Sequence, residues 1–276
     1  MMSEHFHEKC LQILPTRAKH HASLASLVCG EKITDQELKI DLSKTSLIHI
    51  FVVSGSHLLL IDELLSILKI PVYLRFLFLG IYSLLVGWQA PAVRALCGLG
   101  VRILLLRKSL PFPNDLIVAL TGFGVLTLFP AWWNSLSFLM SWCAALALCW
   151  PSLLRIQSSW VRAFVSQISI FLFMSAPLWG LGSLHPLSVI YNLFLAPVVS
   201  YILLPLGFIV TALNSLTFVF DFAMDFFIRV LPLLSEPIEL KKGVTPTIGT
   251  LWGWIFSWHI IFHFLRLRLW QGRDSQ

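Results

Sequence analysis

The sequence predicts an all-α, polytopic integral membrane protein with about nine transmembrane helices, in a range of about eight to ten. Three observations predict it. Of 276 residues, 57% are hydrophobic and only 12% charged, where a soluble domain carries about 25% charged residues. The mean hydropathy is +0.80. Apolar runs of near-spanning length recur along the chain, separated by Pro, Gly, Trp and basic residues, as helices that satisfy their own backbone in lipid require.

Residues 1–45 read as a polar, interfacial N-terminal segment. They contain no long apolar run at the start, so no cleavable signal peptide is expected. His5, His7, His20 and His21 read as part of a solvated tail, since nothing fixes them against one another as metal ligands. In EKITDQELKIDLSKT, Asp35, Glu37, Lys39 and Lys44 would stay in water while Leu38 and Leu42, four apart, dip inward. The five cysteines, Cys10, Cys29, Cys97, Cys143 and Cys149, form no CxxC and no Cys/His spacing that suits zinc. Cys97, Cys143 and Cys149 sit in apolar helices and read as small hydrophobes. No metal and no cofactor are expected.

The region 46–266 reads as the membrane domain. Its first span, about Leu47–Leu68, is closed by Pro71. On an ideal helix Ser46, His49, Ser54, Ser56 and His57 share an arc of about 160°, one wet stripe on an apolar rod. Polar groups at membrane depth are costly unless they meet a cavity or a partner, so the stripe is expected to face inward. A span at Leu74–Gly87 ends in a turn with Trp88 and Pro91. The third, Ala92–Leu106, encloses Arg94 and Arg102, and Arg107 and Lys108 mark its aqueous end. Pro111, Pro113 and Pro130 bound a fourth at Leu116–Phe129. The fifth and sixth are Leu136–Trp150 and Phe164–Trp179.

The apolar run 187–213 would be about 40 Å long at about 1.5 Å per residue, more than the roughly 30 Å hydrocarbon core. Asn192, Pro197, Ser200 and Pro205 interrupt it. It reads as one tilted, kinked helix or as a broken pair of half-helices. A span at Leu216–Leu233 carries Asp221, Asp225 and Arg229, spaced for Asp225 to pair with Arg229. The last span, Ile248–Leu265, precedes a basic tail at 267–276. Basic residues follow the odd-numbered spans, which puts those loops in the cytoplasm and the N-terminus outside. The net charge of +6 is read mainly as this topology charge, with a basic partner surface as the weaker reading.

Four segments carry a resemblance. GEKITDQELKIDLSKTSLIHIFVVSGSHLLLI resembles the opening signature of the ComEC competence domain, with His49, Ser54, Gly55 and His57 matching. Ser46 stands where that signature has Gly, and Ser56 where it has Leu. YSLLVGWQAPAVRALCGLGVRILLLR is similar to the family segment that places Gly87, Pro91, Arg94 and Ala95. FPAWWNSLSFLMSWCAALAL resembles the next segment loosely. HPLSVIYNLFLAPVVSYILLPLGF resembles a fourth, with Asn192 and Pro197 aligned. The segments arrive in family order and cover about Gly30 to Phe208.

The resemblance implies a channel in the cytoplasmic membrane that passes single-stranded DNA inward during natural transformation. The partners it implies are single-stranded DNA, membrane lipid, a DNA receptor and a cytoplasmic motor, with a homo-oligomer left open by the same analogy. Full-length members also carry an OB-like and a metallo-β-lactamase-like domain. No HxHxDH motif occurs here, and about a dozen residues follow the last span, so the resemblance is to the membrane domain alone.

No catalytic residues are expected. A Ser/His nucleophile pair lacks an orienting acid, and no G-x-S-x-G elbow occurs. The residues expected to line or shape a DNA path are His49, Ser54, Gly55, His57, Arg94, Arg102, Asn192 and Pro197. A planar guanidinium suits phosphate, and Arg94 and Arg102 are about 12 Å apart along a helix. The alternatives are that Arg94 ties down Asp62, Glu63, Asp221, Asp225 or carbonyls, and that Arg102 snorkels to the interface. Two other functions stay open at this level. One is a small-solute or ion transporter built on His49, His57 and Arg94. The other is a degenerate, non-transporting remnant or assembly partner.

Overall fold

A computed structural model of the chain describes residues 2–51, 55–110, 112–154, 156–179, 185–235 and 244–274. Every regular element among them is helical. In chain order they are α1 (Met2–Ile13), α2 (His21–Val28), α3 (Gln36–Lys44), α4 (Ile48–Phe51), α5 (Gly55–Ile67), α6 (Val72–Leu85), α7 (Ala90–Arg107) and α8 (Asn114–Leu128). There follow α9 (Leu136–Ala147), α10 (Trp150–Leu153), α11 (Ser159–Trp179), α12 (Leu187–Val198), α13 (Leu204–Ala212), α14 (Thr217–Ser235) and α15 (Ile248–Asp274).

Among the described residues, four helices are long and apolar enough to cross a membrane: Leu136–Leu153, Ser159–Trp179, Leu187–Ala212 and Ile248–Leu269. The all-α membrane class therefore holds; the expected count of nine is not supported, and the first expected span, Leu47–Leu68, runs through residues 52–54, which lie outside the described residues. The physical reason is length and charge. The apolar helices α6 and α8 have 14 and 15 residues. At about 1.5 Å per residue they fall short of a roughly 30 Å core. α7 and α14 are long enough, but each carries three charged side chains.

The chain forms two compact units, Met1–Leu96 with Ser183–Lys241, and Cys97–Gly182 with Lys242–Gln276. In the first, the N-terminal segment is not a solvated tail. Cys10, Leu14, Leu24, Leu27, Leu38 and Leu42 are buried in one core with Phe51, Leu203, Phe220 and Phe227. A disulfide joins Cys10 of α1 to Cys29, the residue that ends α2. Asp35 caps α3 by accepting the N–H groups of Glu37 and Leu38, and Leu38 and Leu42 point inward as their spacing predicts.

The expected single helix through Ser46 is interrupted at its start. Ser46 has φ +59°. Its N–H donates to the Ser43 carbonyl, and the Leu47 N–H donates to the Leu42 carbonyl. This is a Schellman cap, which closes α3 and favours Gly at the left-handed position. The resemblance places Gly there, and this chain uses Ser. The wet stripe therefore does not lie on one ideal helix.

The run at 187–213 is one continuous helical span rather than two half-helices. Between Pro197 and Pro205 its hydrogen bonding widens into a π-helical turn, Val199–Leu203, where the Leu204 N–H reaches back to the Val199 carbonyl. Both prolines lack an N–H, so the ladder is short of donors at both ends of this turn.

In the second unit, α8, α9, α11 and α15 pack around Trp142, Phe138, Phe173 and Phe262, all nearly fully buried. Gly122 permits the closest approach. A Cβ there would lie 2.4 Å from the Trp142 ring.

Candidate functional site

The first unit brings together two of the signature segments. α5 begins at Gly55, and α7 begins at Ala90, whose next residue, Pro91, has no N–H to lose in a first turn. A Cβ on Gly55 would stand 3.2 Å from the Ala95 Cβ, 3.4 Å from the Pro91 carbonyl oxygen and 3.7 Å from Arg94 Nη2. Glycine is thus what lets the start of α5 lie on the Pro91–Ala95 face. The turn before α7 uses Gly87 at φ +82° and Trp88 at φ +56°. Gln89 then ties it down by donating to the Gly30 carbonyl at 3.0 Å.

Arg94 is only 7% exposed, and His57, in the first turn of α5, is 1% exposed. A guanidinium does not lose its proton in a protein. The first unit therefore holds a permanent positive charge inside it, beside the Gly55 backbone. Three of the carboxylates considered for Arg94 are engaged elsewhere. Asp62 faces Arg75 at 3.5 Å. Asp221 accepts the N–H groups of Lys19 and His20 at 3.0 and 3.1 Å. Asp225 takes the Lys19 ammonium and the His20 ring rather than Arg229, at 2.6 and 2.8 Å.

Asn192 is 5% exposed, on α12, and its Oδ1 has no hydrogen-bond partner among the described residues. Ser188, one turn earlier, is buried as well. Pro197 is exposed and opens the stretch that leads into the π-helical turn. Arg102 differs from Arg94. It lies on the part of α7 that belongs to the second unit and is exposed, so the two arginines do not share one buried environment. His49 lies in α4, but its side chain is outside the described residues, as is the whole of Ser54. Among the described residues no group of three His, Cys, Asp or Glu side chains is placed to hold a metal ion.

Three features were not expected from the sequence. The disulfide has no motif. The Asp221 and Asp225 contacts join residues about 200 positions apart, where the one available signal was an acidic pair four apart on α14. His7 Nε2 donates a 2.9 Å hydrogen bond to the Glu31 carboxylate. That bond, with one from the Lys32 N–H, holds the Glu31 carboxyl below its usual range.

A family model described as Competence protein matches residues 27–273. No curated protein and no solved structure matches the chain. The match runs from the end of α2 into α15 and includes both the Gly55 and the Arg94 segments. The chain therefore belongs to the competence protein family, in agreement with the ComEC resemblance of its motifs.

Proposed function

We propose that this chain is the membrane conduit for single-stranded DNA in natural transformation, carrying the strand inward across the cytoplasmic membrane. The observation that carries this reading is the buried Arg94 guanidinium against Gly55, in a protein of the competence family. A fixed positive charge inside a membrane protein is costly, is met by partners or water, and marks a substrate path. A phosphodiester is the ligand for which a planar, permanently charged fork is best suited. Asn192, with a buried carbonyl oxygen open to a donor among the described residues, offers a second polar contact of the kind a base edge or sugar hydroxyl can use.

The conduit has no catalytic step of its own. Its direction and driving force come from partners, a receptor on the outer side and a motor in the cytoplasm. The Cys10–Cys29 disulfide supports an N-terminal region on the oxidising side of the membrane.

The test is uptake of labelled DNA into the cytoplasm of cells carrying the intact protein, a deletion, or Arg94→Gln. The conduit reading expects no uptake in the deletion and a large loss in Arg94→Gln at unchanged protein level. Uptake that survives deletion would end it.

A further inference from the structure

The second unit contains a chain of polar side chains that the DNA path does not use. Trp142 of α9 donates its indole N–H to Nε2 of His259, on α15, at 2.9 Å. One turn further along α15, His263 Nδ1 lies 3.2 Å from Arg266 Nη2. Arg266 Nη1 in turn holds both carboxylate oxygens of Asp115, on α8, each at 2.8 Å. Asp115 is 7% exposed.

The donors in this chain fix the protonation of its acceptors. An indole nitrogen and a guanidinium can only donate. His259 Nε2 must therefore be unprotonated in this arrangement, with the ring proton on Nδ1. Trp142 cannot turn away to relax this arrangement. It is fully buried, Gly122 lies under its ring, and Phe123, Phe138 and Trp252 surround it edge-on. A neutral histidine with a locked donor on its free nitrogen is a two-state element.

We propose that His259 is a proton-binding site whose occupancy unlatches α15 from α9. A hydronium ion gives its proton to Nε2: one O–H bond breaks, an N–H bond forms, and water and an imidazolium result; the hydrogen bond from Trp142 is lost because two donors then face each other. The charged groups that face this ring are few. From α8 there is Asp115, the carboxylate within electrostatic reach of His259. α9 has no charged residue. α11 has only Arg162, whose guanidinium donates to the Ile156 carbonyl at the start of that helix. On α15 itself there are His263 and Arg266, with Arg268 beyond them. Arg266 already holds the Asp115 carboxylate. His263, one turn away on the same helix, is exposed.

This inference stands apart from the DNA reading, and its test does not use DNA. Trp fluorescence and near-UV circular dichroism of the full chain in lipid nanodiscs would be followed from about pH 8 to about pH 4.5, a range that spans histidine titration. The expected result is one titration step, absent in Trp142→Phe and in His259→Gln and retained in His263→Gln. Gln keeps an oxygen to accept the indole N–H, so the fold is held while the titration is removed. Ring 15N spectra of labelled histidine in the unsubstituted chain give a second reading, with one Nε2 passing from acceptor to protonated over the same step. A step that persists unchanged in His259→Gln, or a ring that stays protonated on Nε2 at pH 8, would overturn the proposal.

Discussion

Gly55 lies against Ala95 so closely that a Cβ at position 55 would stand 3.2 Å from the Ala95 side chain. That distance is tighter than ordinary van der Waals contact, and the same added carbon would also meet the Pro91 carbonyl oxygen at 3.4 Å and Arg94 Nη2 at 3.7 Å. Gly55→Val therefore overpacks the junction between α5 and α7. The expected cost is about 1–3 kcal/mol, read as a lower thermal midpoint in detergent or nanodiscs, with DNA uptake falling in parallel. Gly80→Ala is the control, since nothing lies within 4 Å of the carbon it adds, and it should leave the midpoint unchanged or slightly raised.

Ser46 occupies a left-handed backbone position, φ +59°, that closes α3. A left-handed conformation costs a residue with a Cβ roughly 1–2 kcal/mol relative to Gly. Ser46→Gly should therefore stabilise the first unit by up to about 1 kcal/mol, once the greater freedom of Gly in the unfolded chain is counted. The check is the thermal midpoint of the two proteins at the same pH and lipid composition. A lower midpoint in the Gly variant would contradict the cap.

The Cys10–Cys29 bridge closes α1 onto α2 over 19 residues. A loop of that size contributes about 3 kcal/mol through the unfolded chain. Cys29→Ser should lower the midpoint correspondingly, and a reductant should do the same to the unsubstituted protein while leaving Cys29→Ser unaffected. Non-reducing electrophoresis of protein trapped with a thiol alkylator in cells shows whether the bridge forms there. A chain recovered with both thiols free would place the N-terminal region in a reducing compartment.

Glu31 supplies a pH dependence. Its carboxyl is held below the ordinary 4.5, chiefly by the hydrogen bond with His7. A carboxylate depressed on folding adds stability that is present above its unfolded value and is lost as pH falls through its folded value. Wild type and Glu31→Gln should therefore differ in midpoint at neutral pH and converge below about pH 4. The side chain is 38% exposed, so the difference is small. Opposite behaviour, a gap that widens in acid, would contradict the pairing.

Arg266 and Asp115 form a buried ion pair, with side chains 14% and 10% exposed. Removing one partner leaves the other uncompensated, which costs about 3–5 kcal/mol in a fully buried pair. Asp115→Ala should accordingly lower the midpoint well beyond the effect of a surface substitution. The double variant Asp115→Ala with Arg266→Met should recover much of the loss, and failure to recover would indicate that the two side chains act independently.

The legible parts of this molecule were those governed by local rules. Proline and tryptophan turns at 71, 88–91, 111–113 and 130 bound α6, α7 and α8 within a few residues. The i, i+4 pair Leu38 and Leu42 gave the buried face of α3. The motif residues Gly55 and Arg94 were singled out, and they meet. What escaped was set by distant partners. Asp225 was expected to pair with Arg229 four residues on. It pairs instead with Lys19 and His20, from a segment read as solvated, because the N-terminal segment folds back onto α14. Cys10 and Cys29 carry no spacing signal, since only the α1–α2 fold brings them together. Arg102 shows the same limit. It shares a helix with Arg94, yet one is buried and the other exposed. The span count is a different matter: α6 and α8 were bounded at about their true length and still counted as spans, although 14 and 15 residues fall short of a roughly 30 Å core.

The most direct test of the central claim is cytoplasmic uptake of labelled DNA in cells expressing Arg94→Gln at wild-type membrane level, with Arg94→Lys beside it. Loss of a charged hydrogen bond to phosphate is worth about 1.5–3 kcal/mol, so Arg94→Gln should lower uptake about tenfold to a hundredfold. Arg94→Lys, which keeps the charge and loses the fork, should fall between. Uptake in Arg94→Gln equal to that of the unsubstituted protein would contradict the claim that this buried guanidinium lies on the path of the strand.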